Sequence, residues 1–171
     1  MYRVKKKNIK DIKYILNHLR KEDRIECKAV LGKNWKKENL NNIKKVLGST
    51  LIAKTKNGNT PVLMCGACAL NNRPDIAIVW MLSTPEIEKH QISFLREMKK
   101  EIQLYDEKYA ITFNNIYKTN YLAKKWLKWA GFRFPEEEKV LTPMDKIFLS
   151  VEVPEGSEIF YRERPVKGLG E

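Results

Sequence analysis

The stretch from Ile76 to Phe113 constrains this chain most. Ile76–Leu82 is apolar throughout, the pattern of a central strand. Ser83-Thr84-Pro85-Glu86 follows at once. Thr84 suits a helix N-cap, Pro85 the first helical position, and Glu86 the positive end of the helix dipole. Ile87, Phe94, Leu95, Met98 and Ile102 then form one helical face, and Ala110–Phe113 reads as a strand again. A strand, a crossover helix from Glu86 to about Lys108 and a second strand predict two parallel neighbours in one sheet. These two strands are expected to splay apart at their C-terminal ends.

The flanking sequence supplies the rest of an α/β fold. Tyr2-Arg3-Val4 is a short strand, and Asn8 with Asp11 three residues on has the form of a helix start. Ile12, Ile15, Leu16 and Leu19 follow at helical spacing. A second helical stretch carries Ile25, Ala29 and Val30 and ends at Gly32; a third carries Leu40, Ile43, Val46 and Leu47 and stops at Gly48. Thr50–Lys54 and Pro61–Leu70 read as strands joined by Asn57-Gly58-Asn59, a turn that tolerates positive φ. Asn71–Asp75 is a further turn. Tyr121–Ala130 is a helix closed by Gly131, and Lys139–Leu141 and Ile147–Val153 read as closing strands. The order expected is β-α-α-β-β-β-α-β-α-β-β, a mixed sheet with helices on both faces over residues 1–153. Residues 154–171, with Gly156, Pro165, Gly168 and Gly170, read as an extended C-terminal tail. Its Ile159, Phe160, Tyr161 and Val166 suggest that it docks, either on its own domain or on a partner; if on a partner, truncation at Val153 should leave the melting temperature almost unchanged.

Charge narrows the function classes. Residues 1–60 hold 17 Lys/Arg and 5 Asp/Glu, and residues 61–171 hold 16 of each, so the whole net charge of +12 sits in the first third. That asymmetry fits either a solvated lysine-rich face or a nucleic-acid surface. No apolar run approaches the roughly 20 residues of a membrane span, and Met1–Lys10 has no apolar core behind it, so no signal peptide is read. Cys27, Cys65 and Cys68 are too few and oddly numbered for a disulfide framework. Cys65-Gly66-Ala67-Cys68 has redox and zinc spacing, but it lies in a strand, where positions three apart face opposite sides. Both read as core thiols, and no metal is expected.

One segment carries a family resemblance. Asn120-Tyr-Leu-Ala123, then Gly131-Phe132, keeps the places of a motif found in GNAT N-acetyltransferases, and the element order resembles theirs. A narrower resemblance covers about residues 76–138. It runs through Trp80–His90, Phe94-Leu95-Arg96 and Trp126–Phe132, with Leu19–Cys27 in addition. That pattern is similar to GNAT-like internal virion or ejection-associated proteins of podophages. It implies a virion or host-cytoplasm location and other phage proteins as partners, reached through the 154–171 tail.

The GNAT resemblance implies an acetyl-CoA pyrophosphate cradle, rich in glycine, at the start of the long helix. Here Ser83–Ile92 contains no glycine, and none occurs between Gly66 and Gly131. Either the helix start still binds an anion through free N–H groups and the Ser83 and Thr84 hydroxyls, or Glu86 and Glu88 repel it. The resemblance also implies a tyrosine as general acid, and its place is taken by Leu127, which cannot donate a proton. Tyr117 and Tyr121 are near in sequence only. His90 and His18 read as surface or packing residues, and Trp126 and Trp129 as helix packing. Three functions therefore stand. The first is a phage protein with a degenerate site, no catalytic residues and no cofactor. The second is an N-acetyltransferase holding acetyl-CoA through Ser83, Thr84 and Asn120. The third is a nucleic-acid-binding protein using its basic first 60 residues.

Overall fold

A computed structural model of the chain describes residues 1–3, 7–46 and 50–166. The expectations for Val4, Leu47, Gly48, Gly168 and Gly170 lie outside these residues. The elements are β1 (Tyr2–Arg3), α1 (Ile9–Asn17), α2 (Lys21–Leu31), α3 (Trp35–Lys45), β2 (Leu51–Lys54), β3 (Pro61–Leu70) and β4 (Arg73–Ser83). After these come α4 (Gln91–Lys108), β5 (Ile111–Tyr117), α5 (Tyr121–Trp129), α6 (Pro143–Leu149) and β6 (Ser157–Glu163). The strands form one mixed sheet in the order β1-β2-β3-β4-β5-β6. As expected, β4 and β5 are parallel, with Ile76, Ala77 and Ile78 opposite Ile111, Thr112 and Phe113. Beyond that ladder β4 continues to Ser83 and β5 to Tyr117.

The chain divides into two compact units, Met1–Ala67 with Val79–Glu97, and Cys68–Ile78 with Met98–Glu171. In the first unit Asn8 caps α1 by accepting from the Asp11 N–H at 2.9 Å. Ile12, Ile15, Leu16 and Leu19 are buried, as their spacing predicts, and join Trp35, Ile43, Ile52 and Met64 in one core. The Asn57–Asn59 turn holds Gly58 and Asn59 at positive φ and pairs β2 with β3. On α2 the buried face differs from the expected one. Asp23 and Cys27 point inward, while Ile25 and Val30 are exposed. The reason is an ion pair, described below, that anchors the helix from its polar side.

In the second unit Gly131 ends α5 at φ 85°, as expected. The closing strands are corrected. Lys139–Leu141 is irregular, and Ile147–Val153 begins as the end of α6. The strand that closes the sheet is β6, inside the segment expected to be an extended tail. It pairs antiparallel with the whole of β5, from Ile111 opposite Glu163 to Tyr117 opposite Ser157. Ile159, Phe160 and Tyr161, the side chains expected to meet a partner, are buried. Phe160 packs edge-on against Phe132, and Tyr161 stacks on Phe148 with ring centroids 4.4 Å apart. A short run of a β-branched and two aromatic residues between Glu158 and Arg162 is a strand signal, which the surrounding Gly and Pro residues mask. The three helical stretches read between β1 and β2 are all helices, one more than the expected order counts, and α6 adds a helix between α5 and β6.

Candidate functional site

The end of β4 is where the resemblance places a pyrophosphate. Its two polar residues face inward. Ser83 is fully buried and Thr84 is 3% exposed. The Ser83 N–H donates to the Asp23 carboxylate at 2.8 Å, and its hydroxyl donates to the same Oδ2 at 2.9 Å. Asp23 is held in turn by Arg20, whose Nη2 donates to Oδ1 at 2.6 Å. The Arg20 N–H returns a bond to the Ser83 carbonyl at 3.0 Å. Thr84 is tied to β3. Its N–H donates to the Val62 carbonyl at 2.8 Å and its hydroxyl to the same oxygen at 3.2 Å.

These bonds decide what the turn can hold. Thr84 occupies the cap position and Pro85 the first helical position, but Pro85–His90 winds as a 3-10 helix before α4 begins at Gln91. The Ile87 N–H closes that turn onto the Thr84 carbonyl at 3.2 Å. The donors at Ser83, Thr84 and Ile87 are thus spent inside the protein, and Pro85 has none. A cradle needs such donors pointing outward, and these three do not supply them. Charge matters less here than the sequence suggests. Lys89 bonds Glu86 at 3.0 Å and holds its carboxyl below the usual range, and His90 Nε2 lies 3.4 Å from the same carboxylate. The Glu86 charge is therefore largely offset by its own turn.

Asn120 belongs to the second unit and is 3% exposed at the start of α5. Its N–H donates to the Tyr117 carbonyl at 2.9 Å, and its carbonyl accepts from Lys124 at 3.0 Å. Ala123 and Trp126 are the buried face of α5, while Trp129 and Tyr121 are exposed. Leu127, at the general-acid position, is half-buried. His18 stacks on Tyr14 with centroids 4.1 Å apart, a surface packing role. Cys65 is buried and Cys68 half-buried, both free thiols. Burial pushes the Cys27 thiol up to about 11, so it stays protonated at neutral pH. Among the described residues no group of three or more His, Cys, Asp or Glu could hold a metal ion, and no helix is long and apolar enough to cross a membrane.

The element that sequence reading missed is the Arg20–Asp23 pair. Its signal was present as oppositely charged residues three apart at a helix start. Nothing local indicated that both would be buried against Ser83, 60 residues away.

No sequence-family model matches the chain, and no curated protein sequence matches it. Solved structures do. A GNAT-family acetyltransferase from Bacillus anthracis superposes with a TM-score of 0.61 over 92% of this chain and 91% of its own, at 8% identity. The chain has the GNAT fold. A spermidine N-acetyltransferase from Vibrio cholerae, in complex with CoA and spermine, gives a TM-score of 0.60 at 10% identity, covering 92% of each chain. The ribosomal-protein-alanine N-acetyltransferase of Brucella melitensis gives 0.55 at 12% identity, over 92% of this chain and 96% of its own. The GNAT likeness at these identities is one of architecture. The GNAT architecture carries more than one function.

Proposed function

We propose that this chain is a GNAT-fold protein without acetyl transfer, serving as a virion- or ejection-associated protein of a phage. One observation carries the first half: the Ser83, Thr84 and Ile87 donors at the β4–α4 turn are bonded within the protein. Leu127 at the general-acid position supports it. The phage assignment is supported by the sequence pattern of residues 76–138. Calorimetry with acetyl-CoA is expected to find no binding tighter than about 100 µM, roughly −5.5 kcal/mol. Saturable binding in the low micromolar range overturns the loss of function. Mass spectrometry of purified particles tests the other half, and a chain absent from them removes the virion role.

A second reading is favoured by one observation, the parallel β4–β5 pair in a fold shared with a CoA-bound acetyltransferase. In it the chain is an N-acetyltransferase that uses acetyl-CoA. The same titration separates the two, because turnover requires the cofactor to bind.

A further inference from the structure

The positive charge of the first unit is sorted by direction. Both of its aspartates point inward: Asp11 is buried and pairs with Lys54 at 2.8 Å, and Asp23 is buried and pairs with Arg20. Its lysines point outward. On α2, Asp23 and Cys27 face the core, and Lys21, Arg24 and Lys28 form an exposed stripe along one side of the helix. On α3, Trp35 and Ile43 face the same core, and Lys37, Lys44 and Lys45 are exposed. The two helices pack together through this core, to which Cys27 of α2 and Trp35 and Ile43 of α3 contribute. None of these six cations has an ion-pair partner among the described residues. Glu22 and Glu26 fall a quarter-turn or more round α2 from its stripe, and Glu38 borders the α3 stripe.

We infer that the α2–α3 face is a docking surface for duplex DNA, read through its phosphates. Charge complementarity selects a polyanion, and two rows of cations suit a partner whose phosphates are dense and regular. Lysine dominates the rows, a point charge that contacts phosphate without reading bases. No exposed aromatic residue lies on α2 or α3, so the face offers nothing on which unpaired bases could stack. The exposed apolar residues of α2, Ile25 and Val30, lie about 140° apart round the helix with Glu22 and Glu26 between them, so they do not form the single apolar face that a membrane-surface helix inserts. This inference is independent of whether acetyl-CoA binds.

Fluorescence anisotropy of the full chain with a mixed-sequence DNA duplex tests it. With roughly five phosphate contacts, raising salt from about 50 to about 200 mM should weaken binding by about 10²–10³-fold. The variant Lys37→Glu/Lys44→Glu/Lys45→Glu should bind at least about tenfold more weakly and show a shallower salt slope. The equal charge change Lys99→Glu/Lys108→Glu/Lys146→Glu, at exposed positions of the second unit, should stay within about threefold of the parent. Unchanged thermal melts confirm that both variants fold. An absence of binding at low salt overturns the inference, as does an equal loss in both variants. Tighter binding to phosphatidylserine vesicles than to DNA overturns it in favour of a membrane.

Discussion

Asp23 shows how one carboxylate can settle the use of a site. It accepts from the Ser83 N–H and hydroxyl, pairs with Arg20, and lies 4% exposed. Removing it takes one bonded carboxylate from the buried Arg20 guanidinium and leaves two donors of Ser83 without that acceptor. Such a loss costs about 3–5 kcal/mol. Asp23→Ala is therefore expected to lower the urea midpoint by that equivalent, and a change under about 1 kcal/mol would show that the network carries little of the stability. Asp23→Asn keeps one acceptor and should cost less. Residue-level reading of the sequence reached Ser83, Thr84 and Asn120 as polar groups at helix starts. It could not reach what they bond to, because Asp23 and Val62 arrive from elements 60 and 22 residues away.

At the level of elements, the legible features were those with their own local signal. The Asn8 cap, the Asn57–Asn59 turn, the limits of β3 and the Gly131 stop were each written in adjacent residues. Helix α6 was also written locally. Thr142 and Asp145 form a capping box, with the Thr142 N–H donating to Asp145 at 2.8 Å and the Asp145 N–H to the Thr142 hydroxyl at 3.1 Å. The apolar run Ile147-Phe148-Leu149 reads equally as strand, and so hid it. Asp145 also receives both arms of Arg133 at 2.8 Å and the Tyr161 hydroxyl at 2.8 Å. Arg133, first among these, holds its carboxyl well below the usual carboxylate range. A depressed folded-state value lends stability that is complete above the unfolded value near pH 4 and is lost as pH falls below it. The stability gap between the parent and Asp145→Asn, read from urea midpoints, should be largest near neutral pH and shrink from about pH 4 downward. A gap constant with pH would mean that the charge of Asp145 does not stabilise α6.

For the molecule as a whole, the strand–helix–strand unit from Ile76 to Phe113 predicted the parallel pair at the centre of the sheet, and the sheet has it. The end of the chain was misread because its strand is isolated among turn-forming residues. Truncation at Val153 is now expected to do the opposite of what a free tail implies. It removes the partner of β5 and takes Ile159 and Tyr161 from the core they share with Phe148. A thermal melt followed by circular dichroism should show the second unit's cooperative transition lost or lowered by many degrees. An unchanged melt would place β6 outside the stable structure.

The position of β6 also bears on synthesis. A ribosome delivers the chain from its N-terminus, and domains fold in that order at about 5–20 residues per second. Residues Met1–Ala67 and Val79–Glu97 emerge early enough to collapse while translation continues. Strand β5 appears next, with one edge open until Ser157–Glu163 is made. An open edge is a template for another chain. The strand made after β5 is thus the one that covers its edge against neighbouring nascent chains on the same messenger RNA.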